Sequence, residues 1–207
     1  MHRSHLGLVV LRVGFVLAAG GLLTAPLAQT SAHDMQQPTG TNAYTQAVTP
    51  SKSGSEMERL AFLAGTWIAT DTYERTQLTP NGGTGSGEYK TVLGPGGFSL
   101  LTDYRYRGPQ GESSGHQVTT WDLERNAYIG CVVTSSSTGL VFVSGNWEGQ
   151  DLVFSGEFKV RGLKVSFKSV YSEITDHSMT VRQYNSIDGG PLQLFGSSKF
   201  KKRGPPS

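Results

Sequence analysis

A chain of 207 residues has room for one barrel- or sandwich-sized domain with extensions, and a second domain is not required. Its 18 Lys and Arg against 16 Asp and Glu look slightly basic, but Arg3 and Arg12 precede every acid, and without residues 1–32 the balance becomes 16 against 16. A neutral domain lacks the cationic excess that displaces counterions from phosphate, which argues against nucleic acid as a partner.

The first segment, residues 1–32, carries Arg3 and Arg12, then an uncharged run from Val13 to Ala28, then Thr30-Ser31-Ala32. This is the layout of a secretory signal peptide, with cleavage expected after Ala32 and export to the periplasm or the extracellular space. The uncharged run is shorter than the about 20 residues of a spanning helix. It also contains Gly20, Gly21 and Pro26, so no membrane span is expected in the mature chain. Residues 33–55 hold Gln, Thr, Ser, Pro and Gly with almost no large apolar side chains, the composition of a disordered tether.

From Glu56 to Ala64 the apolar residues Met57, Leu60, Ala61, Phe62 and Leu63 predict one or two helical turns across the end of a barrel. Beyond them, β-branched and aromatic stretches alternate with Gly, Asn, Asp and Pro turns. The pattern predicts about ten strands, near 65–75, 85–93, 97–107, 114–121, 127–135, 139–147, 151–160, 163–174, 178–185 and 191–202. The connections are short, as in Gly108-Pro109-Gln110-Gly111 and Asp188-Gly189-Gly190, and favour up-and-down neighbours. The fold class is therefore all-β: a single antiparallel up-and-down barrel over residues 56–203, with a short N-terminal helix and a four-residue tail, 204–207.

Alternation assigns the faces. Leu152, Phe154, Gly156, Phe158 and Val160 share one side of their strand, and Val165, Phe167, Ser169 and Tyr171 share one side of the next. Asp103, Arg105 and Arg107 alternate with Thr102, Tyr104 and Tyr106, which reads as a charged outer face over an aromatic inner one. Ile129–Val133 and Leu140–Val143 are apolar on both faces, so an oligomer contact is open there. Cys131 is the sole cysteine, so no internal disulfide can form; within its hydrophobic strand it reads as a small buried hydrophobe.

The segment Leu60-Ala61-Phe62-Leu63-Ala64-Gly65-Thr66-Trp67 joins a short apolar helix to Gly-x-Trp at the start of the first strand. Here the chain resembles a large bacterial family of exported, uncharacterised lipocalin-like proteins. Trp121-Asp122 with Arg125 and Tyr128, Gly145-Asn146-Trp147 with Leu152 and Gly156, and the basic end at Lys199–Arg203 fit the same resemblance, which covers about 56–203. The family is similar in outline to nitrobindin-like barrels and, more distantly, to lipocalins. The lipocalin resemblance implies that Trp67 closes one barrel end beneath a cation from Lys202 or Arg203. The nitrobindin resemblance implies a haem site on a late histidine, for which this chain offers only His177, in a turn; no cofactor is predicted.

No Gly-x-Ser-x-Gly, His-Glu-x-x-His or Cys-x-x-Cys occurs, and the glycines at 82–87 lack the Gly-Lys-Ser/Thr ending of a phosphate loop. No catalytic set and no metal site is predicted. The reading that follows is an exported, non-catalytic barrel for a small hydrophobic or amphipathic ligand. Alternation nominates Tyr104, His116, Phe154, Phe167 and Tyr171 as lining residues, with Asp71 and Tyr73 nearer the mouth. Two alternatives stay open: a barrel isomerase, cyclase or hydrolase using His116 and Asp71 in proton transfer, and a structural or oligomeric interaction domain.

Overall fold

The computed structural model describes residues 54–204 apart from 137, 138 and 161. The expected leader, most of the tether and the end of the tail lie outside the described residues.

Ten strands form one closed antiparallel barrel in which each strand pairs with its sequence neighbours. They are β1 Gly65–Tyr73, β2 Gly83–Leu93, β3 Ser99–Gly108, β4 Gly111–Asp122, β5 Ala127–Thr134, β6 Val141–Glu148, β7 Asp151–Val160, β8 Leu163–Ser172, β9 Ser178–Ile187 and β10 Gln193–Lys202. Closure is made by β1 against β10, with Trp67 opposite Lys202 and Asp71 opposite Ser198. A closed wall leaves no unpaired strand edge.

The N-terminal helix has the one to two turns that the spacing predicts. α1 spans Ser55–Arg59 and gives way to a 3-10 turn at Ala61–Leu63. No side chain caps α1, and Leu60 turns back onto the carbonyl of Met57, so packing rather than propensity holds the segment. Met57 and Leu60 are buried against the barrel end, and the Tyr128 hydroxyl donates to the Glu56 carbonyl at 2.8 Å.

The alternation of β7 and β8 is realised. Leu152, Phe154, Phe158, Val165 and Phe167 are buried in one core. Gly156 belongs to the same inward row because a Cβ there would stand 2.7 Å from the Phe167 ring, so glycine leaves the ring its place. Aromatic rings cross the lumen edge to face, Trp121 on Tyr128 at 4.8 Å and Phe154 on Tyr171 at 6.1 Å. In β3, Tyr104 and Tyr106 are buried while Asp103, Arg105 and Arg107 are exposed.

Two side chains face the other way from the sequence expectation. Cys131 is half-buried on the outer surface, between Val118 and Phe142, because Tyr128, Gly130 and Val132 take the inner positions of β5. His116 also points outward, since Gly115, Gln117 and Thr119 form the inner row of β4.

Candidate ligand-binding site

The end of the barrel covered by α1 is built around Trp67. Its indole Nε1 donates to the Leu63 carbonyl at 2.9 Å, which ties β1 to the 3-10 turn. Lys202 lies with its ammonium 5.1 Å from the indole centroid and donates to the Phe62 carbonyl at 2.9 Å. Gly65, at φ 126°, is required beside it, because a Cβ would meet the Lys202 stem at 2.6 Å. Arg203 does not reach the indole; it pairs with Glu88 at 2.7 Å.

Beneath this plug lies a cavity of about 70 Å³. Leu60 and Leu63 roof it, and Trp67, Phe154, Met179 and Phe200 supply apolar wall. Its polar groups come from β2, β3, β4 and β8. Thr91 and Thr102 share a hydroxyl hydrogen bond of 2.9 Å, and Gln117 Nε2 donates to Thr119 Oγ1 at 3.1 Å. Burial pushes the Tyr171 hydroxyl up to about 12, so it stays protonated and can donate. An apolar pocket with a few convergent hydroxyls is the form small-molecule sites take.

The opposite half of the lumen is more polar. Tyr73 and Tyr106 join hydroxyl to hydroxyl, and Tyr73 packs edge-on to Phe195 at 5.5 Å. Leu78, from the loop after β1, is buried over this end. Asp71, 1% exposed, faces the lumen beside Ser198, and Gln183, Asn185 and Ser169 carry the polar strip across β9 and β8. A second cavity of about 150 Å³ opens here, lined in part by Leu78, Asn185, Ile187 and Phe195.

The nominated residues therefore divide. Phe154 and Tyr171 meet in the cavity under α1. Asp71 and Tyr73 lie in the other half, buried below Leu78 rather than standing at an open mouth. Tyr104 stacks on Tyr89 at 5.7 Å and Phe167 packs on Phe158 at 6.0 Å, so both are wall. Burial also raises the Tyr104 hydroxyl, against hydrogen bonding from Thr134 and Ser113 that acts the other way. His116 stands outside, its side chain 75% exposed, with Nδ1 2.6 Å from Asp103 Oδ1. A proton-transfer pair of His116 and Asp71 is thus ruled out by geometry, because the barrel wall separates them. His177 is exposed in the turn between β8 and β9, where its N–H donates to Thr175 Oγ1 at 3.2 Å. Among the described residues there is no cluster of three or more His, Cys, Asp or Glu that could hold a metal ion, and no helix long and apolar enough to cross a membrane.

Gln183, Asn185, Ser169 and Gln117 were not nominated from sequence. The signal was present for three of them, since Gln183 and Asn185 share parity with Met179, Val181 and Ile187, and Ser169 shares it with Val165, Phe167 and Tyr171.

Residues 52–202 match a protein family described only as a protein of unknown function, DUF1579. The chain belongs to that family. No curated protein matches it. Among solved structures, the family member is similar in fold to Rv2717c from M. tuberculosis, with a TM-score of 0.52 at 12% identity over 73% of this chain and 99% of that one. The S-type phycobiliprotein lyase CPES from Guillardia theta follows, with a TM-score of 0.48 at 10% identity over 72% of this chain and 93% of that one. At these identities the likeness to Rv2717c concerns the fold, a lipocalin-like barrel.

Proposed function

We propose that the protein is an exported, non-catalytic barrel that binds a small apolar or amphipathic molecule in the cavity beneath α1. The leader-like sequence of residues 1–32 supports export. One observation carries the binding reading: Tyr171, the Thr91–Thr102 pair, Gln117 and Thr119 line a cavity whose other wall is apolar, Leu60, Leu63, Trp67, Phe154, Met179 and Phe200 among it. About 70 Å³ holds only a few heavy atoms, so a larger ligand enters by displacing Leu60 and Leu63. Leu60 stands between α1 and the 3-10 turn and Leu63 ends that turn, so both belong to a short segment outside the strand ladder.

The test is titration of the protein with 1-aminoanthracene, a flat apolar fluorophore bearing one neutral amine. A single saturable site, quenching tryptophan emission, is the expected result, and Leu60→Ala tightens it by enlarging the cavity. Non-saturable binding in both proteins would overturn the reading.

A second reading, association between copies of the chain, is favoured by the outer wall. Leu101, Val118, Cys131 and Phe142 form one cross-strand row over β3 to β6, with Phe142 67% exposed. A row of this kind can meet its own copy across a two-fold axis, which is the commonest arrangement of soluble dimers. The two readings are compatible, because this row faces outward and the cavity inward.

A further inference from the structure

The alternation of β9 places Met179, Val181, Gln183, Asn185 and Ile187 inside the barrel. A carboxamide there carries two N–H donors and a carbonyl acceptor, and burial without partners is costly for each. Asn185 is 7% exposed, and neither its Oδ1 nor its Nδ2 has a hydrogen-bond partner among the described residues. It lines the cavity of about 150 Å³ at the Leu78 end, far from α1. Buried polar groups are almost always hydrogen-bonded, so a bare carboxamide on a cavity wall points to something that completes it.

The surroundings define the chemistry. Leu78, Ile187, Pro191 and Phe195 give the cavity its apolar wall, Thr76, Gln77 and Gln193 line it beside Asn185, and no lining residue is charged. A charged ligand would lose its hydration with no counter-charge to meet it. The complement of a carboxamide edge is an N–H beside a C=O, which forms two parallel hydrogen bonds with it. A volume near 150 Å³ is about that of the apolar cavity that accommodates benzene. Leu78 is held in place by its own loop: Thr76 and Thr79 exchange backbone hydrogen bonds of 3.1 Å, and Thr79 Oγ1 donates to the Glu74 carbonyl at 2.7 Å.

We propose that this end of the barrel is a second binding site, for a neutral, compact ring bearing a cyclic amide, with Asn185 as the residue that recognises the amide edge and Leu78 and Phe195 as the apolar clamp. The site is separate from the cavity under α1 and does not depend on it.

The test uses the full chain, with side-chain amide resonances followed by NMR as 2-pyridone, N-methyl-2-pyridone or benzene is added. 2-Pyridone is expected to shift the Asn185 Nδ2 resonances saturably. N-methyl-2-pyridone, which has lost the donor, should bind about tenfold more weakly or worse. Asn185→Leu is expected to abolish the preference for 2-pyridone, keep benzene binding and leave Tm unchanged or higher, because it removes an unsatisfied group. No saturable shift, or equal binding of the N-methyl compound, would each overturn the proposal. The wild-type titrations decide the matter even if the variant folds poorly.

Discussion

Lys202 performs two tasks at one atom, giving a hydrogen bond to the Phe62 carbonyl and a cation over the Trp67 ring. Lys202→Met keeps the stem and removes both, so a loss of about 1–2 kcal/mol in urea unfolding is expected. Arg203→Ala, which breaks only an exposed pair with Glu88, is expected to cost under about 0.5 kcal/mol. Tyr171→Phe retains the ring that meets Phe154 and deletes a buried hydroxyl. Stability within about 0.5 kcal/mol of the parent is expected, together with a several-fold weaker affinity for 1-aminoanthracene, measured by fluorescence. Residue by residue, the sequence was most informative where one face was uniformly apolar. The inward set of β7 and the charged outer face of β3 could be read directly, whereas the place of Trp67 came from the resemblance to lipocalins. His116 could not, because its row-mates Val118 and Thr120 look like interior residues, whereas the real inner row is Gly115, Gln117 and Thr119. Small and amide side chains fill that part of the lumen, and hydropathy does not mark them as inward.

At the level of elements, the turns are held by short side-chain hydrogen bonds that titrate. In the β4–β5 turn, Asp122 Oδ1 accepts from the backbone N–H of Glu124 at 2.9 Å and of Arg125 at 3.0 Å, and the Arg125 guanidinium pairs with the same carboxylate. The Arg125 N–H and side chain hold Asp122 below its ordinary value of 3.8. A carboxylate depressed in the folded state contributes stability that is fully present above the unfolded pKa and is lost as pH falls through the folded one. Glu157, lowered first by Lys164 and then by Ser166 from 4.5, acts in the same direction. Acid unfolding followed by circular dichroism should therefore steepen below about pH 4. Asp122→Asn should flatten that limb while leaving stability near neutrality somewhat reduced. The strand count was legible because each hairpin is punctuated by Gly, Pro, Asn or Asp. Element ends were less so: β1 stops at Tyr73 because Leu78 must fold over the lumen, and β10 starts only at Gln193, after Pro191, which has no N–H for a ladder.

For the whole molecule, the two-sided apolar strands 129–133 and 140–143 left the outside of the barrel ambiguous. The structure resolves them into an inner row, Val132, Val141 and Val143, and an exposed outer row through Phe142. On the association reading, sedimentation velocity is expected to show a dimer that Phe142→Glu converts to monomer without loss of Tm; a monomer at all concentrations would remove that reading. The lipocalin resemblance of the Gly-x-Trp start and the basic end implied a barrel closed there, and the register puts Trp67 against Lys202. What no periodicity could reveal is that, among the described residues, aromatic rings fill much of the lumen, with a small cavity under α1 and another at the Leu78 end. If these cavities hold small molecules, native mass spectrometry of the protein purified from its own host will show them. The expected result is a population heavier than the bare chain by the mass of a retained small molecule, which disappears on denaturation. A single species at the mass of the chain alone, in preparations never exposed to denaturant, would contradict it.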